Sequence, residues 1–182
     1  LVGVSAGAAL GAVSVIVLPD ETGPEPTPTP SFLQAVCRYL DQHRLVTTEL
    51  FIVPPQYVRL CDFYLVVKPH PGHTRAQVQD IVEARLASWL HALHGGNDGQ
   101  GFPFGGQLHI ADLMALVMRI EAVERVETLS CRFTRTKSDA QPRQGQLVLC
   151  PIQPGDTDRI EMAPEETVSF DRSRLIVILS AG

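Results

Sequence analysis

The stretch GGNDGQGFPFGGQLH, residues 95–109, decides how the rest of the sequence is interpreted. It holds six glycines in fifteen positions, a Phe-Pro-Phe and one acidic residue, and it separates two segments with regular apolar patterns. Loops of this length without secondary structure are uncommon in compact domains, and those that occur are functional or disordered. Three roles are therefore considered for this stretch: a phosphate-binding loop, an active-site loop, and a structural loop that holds one part of the protein against another.

The glycine pattern does not fit a phosphate-binding loop. The dinucleotide fingerprint G-x-G-x-x-G needs a third glycine where Phe104 stands. The fingerprint also follows a strand, whereas this loop follows a predicted helix. Pro103 has no amide hydrogen to offer an anion, and the Gly-Lys-Ser/Thr triplet of a Walker loop does not occur in the sequence. We therefore expect no bound nucleotide.

The composition of the loop instead predicts a structural clasp. Glycines permit positive φ angles and close backbone approach, and burial of a phenylalanine side chain contributes roughly 1.5–3 kcal/mol. We expect Phe104 to lie in the core of its own domain and Phe102 to be more exposed, within reach of a neighbouring subunit. The residues assigned to this clasp loop are Gly95, Gly96, Gly99, Gly101, Phe102, Pro103, Phe104 and Gly105.

Apolar periodicity predicts helices on both sides of the loop. Thr74 and Gln77 form a capping-box pattern that begins a helix near 74–94. Thr29 and Pro30 fit the N-cap and first position of a helix near 30–43. A shorter helix is expected around 110–120. The apolar stripe of the first helix consists of Phe32, Leu33, Val36, Cys37 and Leu40, and that of the second of Val78, Ile81, Val82, Leu86, Trp89, Leu90 and Leu93.

The order of elements over residues 13–135 predicts an α+β fold. Strand, helix, strand, strand, helix and strand is the order of a ferredoxin-like βαββαβ sandwich, here with an extra helix. The four strands, near 13–18, 48–53, 57–67 and 125–134, are expected to share one antiparallel sheet, with the first two helices on one face. Residues 1–30 are interpreted as a strand and a Pro-rich connector from a region upstream of Leu1. Residues 136–182 are interpreted as a polar linker and a C-terminal β-arm containing QLVLC, RIEM and RLIVIL.

Composition and charge exclude several classes of function. The formal net charge is −5 and no basic patch is visible, which disfavours nucleic-acid binding. The first nineteen residues carry no charge, but their three glycines and the lack of flanking Lys or Arg favour a buried strand over a membrane span. The cysteines, Cys37, Cys61, Cys131 and Cys150, are widely spaced and typical of reduced thiols in a cytoplasmic product.

The candidate metal ligands do not form a zinc pattern. His91 and His94 are three residues apart on one predicted helix, and His70 and His73 flank a Pro-Gly turn. A zinc site needs three or four ligands, whereas Asp98 is the only acid near the first pair. These histidines are interpreted as surface or helix-end residues, and we expect neither a metal nor another cofactor.

The sequence also offers no arrangement for covalent or acid–base catalysis. Cys37 falls in the apolar stripe of a helix, where a buried inert thiol is expected. No serine occupies a G-x-S-x-G nucleophile elbow. The acidic pairs Glu165–Glu166 and Glu124/Glu127 are interpreted as solvated charges. We therefore expect that the protein is not an enzyme.

A longer pattern resembles a known family. GGNDGQGFPFGGQLHIADLMALVMRIEAVERVETL, residues 95–129, is similar to the signature of baseplate J-like proteins, with its Gly-Gly, Asp-Gly, Gly-aromatic-Pro-Phe-Gly core, helix and valine-rich strand. LQAVCRYLDQHRLVTTELFIVPPQYVRL, residues 33–60, resembles the family's upstream region. The sequence departs from the pattern at Phe102, where the family often has Trp, and at Gly106, where it often has Arg.

The resemblance implies a structural role. Baseplate J-like proteins are wedge components of contractile phage tails and of related injection systems, and they have no catalytic site. It implies that the partners are other copies of the chain, a related wedge subunit, the central spike hub and sheath-proximal baseplate proteins, with no nucleic acid and no membrane insertion by this segment. It also implies assembly in the bacterial cytoplasm into a phage-tail-like particle. The competing hypothesis is a ferredoxin-like regulatory or small-ligand-binding module of a larger bacterial enzyme, with the glycine loop as its ligand contact.

Overall fold

The structure is a computed structural model that describes residues 2–6, 12–135, 143–149 and 156–180, and it has a mixed α+β fold. The predicted α+β class is therefore confirmed. The helices of this part of the chain are α1 Pro30–Asp41, α2 Arg75–Trp89 and α3 Ile110–Met118. The strands are β1 Val2–Ala6, β2 Ala12–Val17, β3 Glu49–Val53, β4 Gln56–Pro69, β5 Gln107–His109, β6 Val123–Arg135, β7 Arg143–Val148, β8 Asp156–Thr157, β9 Arg159–Glu161, β10 Glu166–Phe170 and β11 Leu175–Leu179.

The main sheet is built on the long strand β4. Its order is β10-β4-β6-β7-β8, and β11 pairs with β4 beyond the end of β10. Both β10 and β11 run parallel to β4, along residues 56–60 and 63–67 respectively, whereas β6 pairs with β4 in the antiparallel sense. The C-terminal segment is therefore part of the central sheet.

A second sheet has the order β1-β2-β3. In it β2 and β3 are parallel, with Ala12 opposite Glu49 and Ile16 opposite Val53. The prediction that strands near 13–18 and 48–53 share one antiparallel sheet with those near 57–67 and 125–134 is wrong. The predicted ferredoxin-like sandwich is not observed either, because its four strands are divided between two sheets.

The division between the sheets has a physical cause at Pro54 and Pro55. Proline lacks an amide hydrogen and favours extended backbone before it, so β3 and β4 do not pair as a hairpin and lie in different sheets. The segment between β2 and β3, which includes α1, is long enough for a parallel crossover. The helices are divided between the two sheets: α1 lies against β3 of the second sheet, whereas α2 lies against β11 and α3 against β6 of the main sheet. The prediction that the first two helices cover one face is therefore wrong as well.

The helix starts follow the predicted capping signals. In α2, Thr74 accepts a hydrogen bond from the Gln77 amide, and the Gln77 side chain accepts one from the Thr74 amide, which confirms the capping box. In α1, Thr29 accepts a hydrogen bond from the amide of Phe32, and Pro30 is the first helical residue. α2 ends at Trp89, earlier than predicted, and Ile81 of its predicted stripe is exposed.

The main core lies between the β4–β6 sheet and helices α2 and α3. Its largest fully buried side chains include Phe63, Leu60, Leu65, Leu86, Leu113 and Ile160. A smaller apolar cluster joins Ile16 and Leu18 to Ala92 and Leu93, and it attaches the second sheet to the end of α2. Because burial of apolar side chains is the main favourable term in folding, these two clusters fix the glycine loop between them.

A β-bulge interrupts β4 where β10 ends and β11 begins. Asp62 there has a φ of 48°, a left-handed conformation that aspartate tolerates better than most residues. Its carboxylate accepts a hydrogen bond from Arg132 Nε at 2.8 Å and one from Arg174 at 3.1 Å. These hydrogen bonds hold the pKa of Asp62 below its usual range.

Three of the four longest strands in the C-terminal region were predicted from the sequence, and the fourth was not. β7, β9 and β11 correspond to the predicted strands QLVLC, RIEM and RLIVIL, whereas β10 was not predicted. Residues 136–142 of the predicted polar linker lie outside the described residues, and its last residues belong to β7. Within the described part of the chain, no helix is long and apolar enough to cross a bilayer.

Candidate functional site: the glycine loop

The loop begins with backbone so tightly packed that only glycine fits. A Cβ atom on Gly95 would lie 2.3 Å from the carbonyl oxygen of Trp89 and 2.4 Å from that of His91. The amide of Gly95 donates to the His91 carbonyl, and the amide of Gly96 donates to the Trp89 carbonyl. These bonds satisfy carbonyls at the end of α2 that would otherwise be unpaired.

Gly101 closes the first half of the loop. It has a φ of 102°, and a Cβ at this position would lie 2.4 Å from the carbonyl oxygen of Ala92. Its amide donates to the Gly95 carbonyl, and the amide of Phe102 donates to the His91 carbonyl. Gly99 also has a positive φ, 72°, but a Cβ there would meet nothing within 4 Å. The loop thus contains glycines required by contact and glycines required by conformation alone.

Phe102 is the aromatic anchor of the loop. It is 4% exposed and belongs to the main core. Its ring meets that of Trp89 edge to face, with centroids 5.4 Å apart, and such aromatic pairs contribute energy beyond the area they bury. Trp89 Nε1 in turn donates to Asn97 within the loop.

The prediction for the two phenylalanines was reversed. Phe104, expected in the core, is half-buried and packs against the smaller cluster that contains Ile16 and Leu93. Phe102, expected to be more exposed, is the buried residue. A loop has no side-chain period that would indicate which residue points inward, so burial here depends on the position of Trp89.

The second half of the loop binds the C-terminal segment. The Gly105 amide donates to the carbonyl of Glu166 at 3.1 Å, and the Met162 amide donates to the carbonyl of Gly106. The Thr167 hydroxyl donates to the carbonyl of Phe102. Immediately afterwards β5 pairs with β9 in the antiparallel sense. The loop therefore covers the outer edge of β10.

This cover explains why β10 is fully buried although it ends the strand order of the main sheet. All five residues of β10 are buried, including Glu166, Thr167 and Ser169. An outer strand normally exposes unpaired backbone groups. Here the loop backbone and the Pro-rich connector lie against it.

The environment of Glu166 also differs from the one predicted from the sequence. The sequence predicts a solvated charge at this position, whereas Glu166 is 2% exposed. Its carboxylate accepts a hydrogen bond from the Ala163 amide at 2.8 Å and lies 3.7 Å from the Arg135 guanidinium. A buried carboxylate with a charged partner and an amide donor is expected to be structural. No sequence signal distinguishes it from Glu165, which lines an open cleft.

Glu25 fixes the Pro-rich connector onto the main sheet. Its carboxylate accepts two hydrogen bonds from Arg59, at 2.8 and 2.6 Å, and one from the hydroxyl of Ser169 in β10. The Tyr57 hydroxyl donates to the Pro26 carbonyl one residue further along. A cleft of about 780 Å³ lies beside this junction, between the two sheets. Hydrogen bonding from Arg59 holds the pKa of Glu25 below its usual value of 4.5.

Replacing Glu25 with glutamine is expected to destabilise the protein by about 1–2 kcal/mol at pH 7, because a charge-assisted pair is lost. The pKa of Glu25 is lower in the folded state, so its contribution is present above the unfolded pKa and disappears as the pH falls through the folded value. Urea unfolding of wild type and Glu25→Gln between pH 7 and 3 measures this difference. Glu21→Gln, in the exposed part of the connector, is the control, and a Glu25 effect that does not shrink in acid would contradict the assignment.

The ring of His91 contacts the backbone just beyond the end of α2. Its Nδ1 accepts the amides of Leu93 and His94, at 3.1 and 3.3 Å, so the ring proton is on Nε2. Burial lowers the pKa of His91, and the stacked ring of His94, 5.2 Å away between centroids, acts in the same direction. A nitrogen that accepts two backbone amides is not available to a metal.

We expect the purified protein to contain substoichiometric zinc. Within the described residues, no group of three or more His, Cys, Asp and Glu side chains is arranged to hold a metal ion, and His91 Nδ1 is occupied by amides. Elemental analysis after removal of loosely bound ions tests this expectation. Near-stoichiometric zinc, with nitrogen ligands at about 2.0–2.1 Å, would contradict it.

The cysteines fall in three different environments. Cys131 is buried in the main core, and this burial raises the pKa of its thiol. Cys61 is half-buried, and burial also raises its pKa. Cys37, predicted to be buried in the stripe of α1, is exposed, whereas Leu33, Val36 and Leu40 of the same stripe are half-buried. Cys150 lies outside the described residues.

The fold is similar to that of a chain in a cryo-EM structure of the anti-feeding prophage (AFP) baseplate, 6-fold symmetrised, with a TM-score of 0.58. The two are 15% identical in sequence, and the match covers 88% of this chain and 29% of that chain. This chain therefore spans less than a third of the length of the chain it matches. No family model and no curated protein matches the sequence. At this identity the likeness is one of fold.

Proposed function

We propose that the protein is a structural wedge subunit of the baseplate of a contractile injection system or phage tail, of the baseplate J-like type. The observation that carries the proposal is the agreement of two independent features. Residues 95–129 resemble the baseplate J-like signature, and the fold resembles that of a chain from the AFP baseplate. The same loop that carries the sequence signature fastens the C-terminal segment to the core.

The geometry of the loop supports a structural role. Gly95 and Gly101 approach the backbone at the end of α2 so closely that a Cβ atom would not fit. Backbone hydrogen bonds of the loop reach both the end of α2 and residues 162–166. These contacts hold different parts of the same chain together. We propose that this clasp makes the domain rigid enough to transmit force between subunits of a ring.

The proposed organisation has a wedge domain at residues 13–135, preceded by a strand and connector and followed by a C-terminal arm. The arm contributes β10 and β11 to the sheet of the wedge domain, so we propose that the two act as one unit in the baseplate. The proposed partners are further copies of the chain, a related wedge subunit, the spike hub and sheath-proximal proteins. We propose assembly in the bacterial cytoplasm, without catalysis and without a cofactor.

A direct experiment places an affinity tag on the protein in the host that encodes it and examines the purified material. We expect megadalton particles, with a baseplate visible by negative-stain electron microscopy. Gly101→Ala, which disrupts the clasp, is expected to be depleted from these particles, whereas Gly99→Ala is expected to be retained. Recovery only as a small complex, or within a chain that carries a catalytic domain, would contradict the proposal and favour the regulatory-module alternative.

A further inference from the structure

The exposed tip of the glycine loop contains Asp98 followed by Gly99, and Asp98 is the one aspartate in the sequence that precedes a glycine. Residues 97–100 are exposed, whereas Gly95 and Gly101 pack against the end of α2. The amide nitrogen that follows an aspartate can attack its side-chain carboxyl carbon, because the product is an unstrained five-membered ring. A glycine after the aspartate favours this attack, since it has no Cβ atom to obstruct the ring.

The carboxylate of Asp98 is folded back over its own main chain. Its Oδ1 accepts a hydrogen bond from the amide of Gln100 at 3.2 Å, which is the contact of an Asx turn. The same oxygen lies 3.5 Å from the position that a Cβ atom on Gly96 would occupy. The atoms enclosed by the Asx turn include the amide nitrogen of Gly99, so the turn holds the carboxyl carbon on the side of the chain where this nitrogen lies.

The amide nitrogen of Gly99 is free to react. Within the part of the chain that the structure describes, it makes no hydrogen bond. Gly99 has a φ of 72°, and a Cβ atom built on it would meet nothing within 4 Å, so its surroundings leave room for a new ring. A nucleophile and an electrophile that are already held close together react faster than groups that must first be brought together.

We propose that Asp98 is a modification site, at which attack by Gly99 converts it to isoaspartate in the folded protein. The Gly99 nitrogen bonds to the carbon of the protonated carboxyl group, whose hydroxyl leaves with the amide proton as water. Water then opens the resulting cyclic imide. Opening at the side-chain carbonyl restores aspartate, whereas opening at the main-chain carbonyl gives isoaspartate, in which the main chain runs through the side-chain carbon. The two products have the same mass, and the reaction needs no oxidant or reductant.

Asn97, the one asparagine in the sequence, is not expected to react in this way. Its Oδ1 accepts a hydrogen bond from Trp89 Nε1 at 3.1 Å, and the residue that follows it is an aspartate. Conversion of Asp98 adds one carbon atom to the main chain between Gly95 and Gly101, which are joined by a hydrogen bond of 3.0 Å. The modification therefore changes the half of the loop that packs on the end of α2.

Incubation of the 182-residue chain at neutral pH in water enriched in a heavy oxygen isotope tests the proposal, because ring opening incorporates the isotope. Trypsin cuts after Arg85 and Arg119, and electron-based fragmentation of the peptide between them distinguishes aspartate from isoaspartate. Isoaspartate at Asp98 should exceed that at Asp112 at least about tenfold, since Asp112 lies in α3 and precedes a leucine rather than a glycine. We also expect the folded protein to convert at least as fast as the synthetic peptide of residues 95–109, because the Asx turn holds the reacting groups together.

Asp98→Glu is the matched variant, because it keeps the charge of the loop while the same attack would have to close a larger ring. We expect this variant to lose the isotope incorporation at position 98. A folded protein that converts Asp98 more slowly than the synthetic peptide does would overturn the proposal, because the fold would then protect the site. Conversion of other aspartates to the same extent as Asp98 would overturn it as well. Neither result bears on the proposed baseplate role.

Discussion

Replacing Gly101 with alanine is expected to destabilise the protein by about 3–5 kcal/mol, among the largest effects of a single methyl group. Gly101 has a φ of 102°, which is strained for any residue with a side chain, and its Cβ would lie 2.4 Å from the backbone oxygen of Ala92. Backbone strain of this kind costs about 1–3 kcal/mol, and overpacking adds about 1–3 kcal/mol. The obstructing atom is a carbonyl, so no side chain can rotate away. Chemical denaturation of the two proteins measures the difference.

Gly99 provides the matched control in the same loop. It too has a positive φ, 72°, but its Cβ would meet nothing within 4 Å. Gly99→Ala should therefore lose only the conformational term, about 1–2 kcal/mol. The excess for Gly101→Ala isolates the contact with the end of α2. Equal losses for the two variants would show that the close approach does not exist.

Replacing Phe102 with alanine is expected to cost about 3–5 kcal/mol, the range for large-to-small changes at buried aromatic residues. The ring is 4% exposed and packs edge to face on Trp89, so its loss leaves a cavity beside α2. The carbonyl of Phe102 also accepts the hydroxyl of Thr167, so displacement of the loop should expose β10. Denaturation measures the first effect, and hydrogen exchange of the amides of β10 measures the second.

Phe104→Ala is the control for this prediction. Phe104 is only half-buried, against the smaller cluster, and we expect it to lose roughly half as much as Phe102→Ala. It should also leave the exchange of β10 unchanged, since Phe104 packs against the smaller cluster, which contains no residue of β10. A larger effect at Phe104 than at Phe102 would restore the sequence-based expectation and contradict the observed packing.

Local signals in the sequence predicted the starts of helices and the central strands. Each of the first two helices starts with a threonine that accepts a hydrogen bond from the amide three residues later, Thr29 from Phe32 and Thr74 from Gln77. A short window of sequence therefore contains the whole cause of these helix starts. The strands predicted near 13–18, 57–67 and 125–134 correspond to β2, β4 and β6. The need for glycine in the loop could also be predicted, although the particular contacts of Gly95 and Gly101 could not.

The partners of these elements were not predictable from the same signals. The sequence ETVSF of β10 contains three polar residues, and its burial depends on a loop some sixty residues earlier in the chain. Glu166 is buried because Arg135 and the Ala163 amide reach it, which no pattern of its neighbours reveals. The separation of the two sheets at Pro54 and Pro55 was readable in principle, because two consecutive prolines oppose a tight hairpin.

The exposure of α1 is the difference with the clearest consequence for function. Its stripe predicted a buried face, yet within the described part of the chain Leu33, Val36 and Leu40 of that stripe are only half-buried and Phe32 and Cys37 are exposed. An amphipathic pattern reports that a face is to be buried, but it does not say by which molecule. In a subunit of a larger assembly, that face can be completed by a neighbour.

Cryo-EM of particles purified from the native host tests the central claim most directly. If the chain is a baseplate wedge subunit, we expect density for it within the baseplate, in copies that are a multiple of six, with Phe102 packed inside its own subunit against Trp89. Density for the chain outside any baseplate, or its absence from particles that are otherwise complete, would contradict the account.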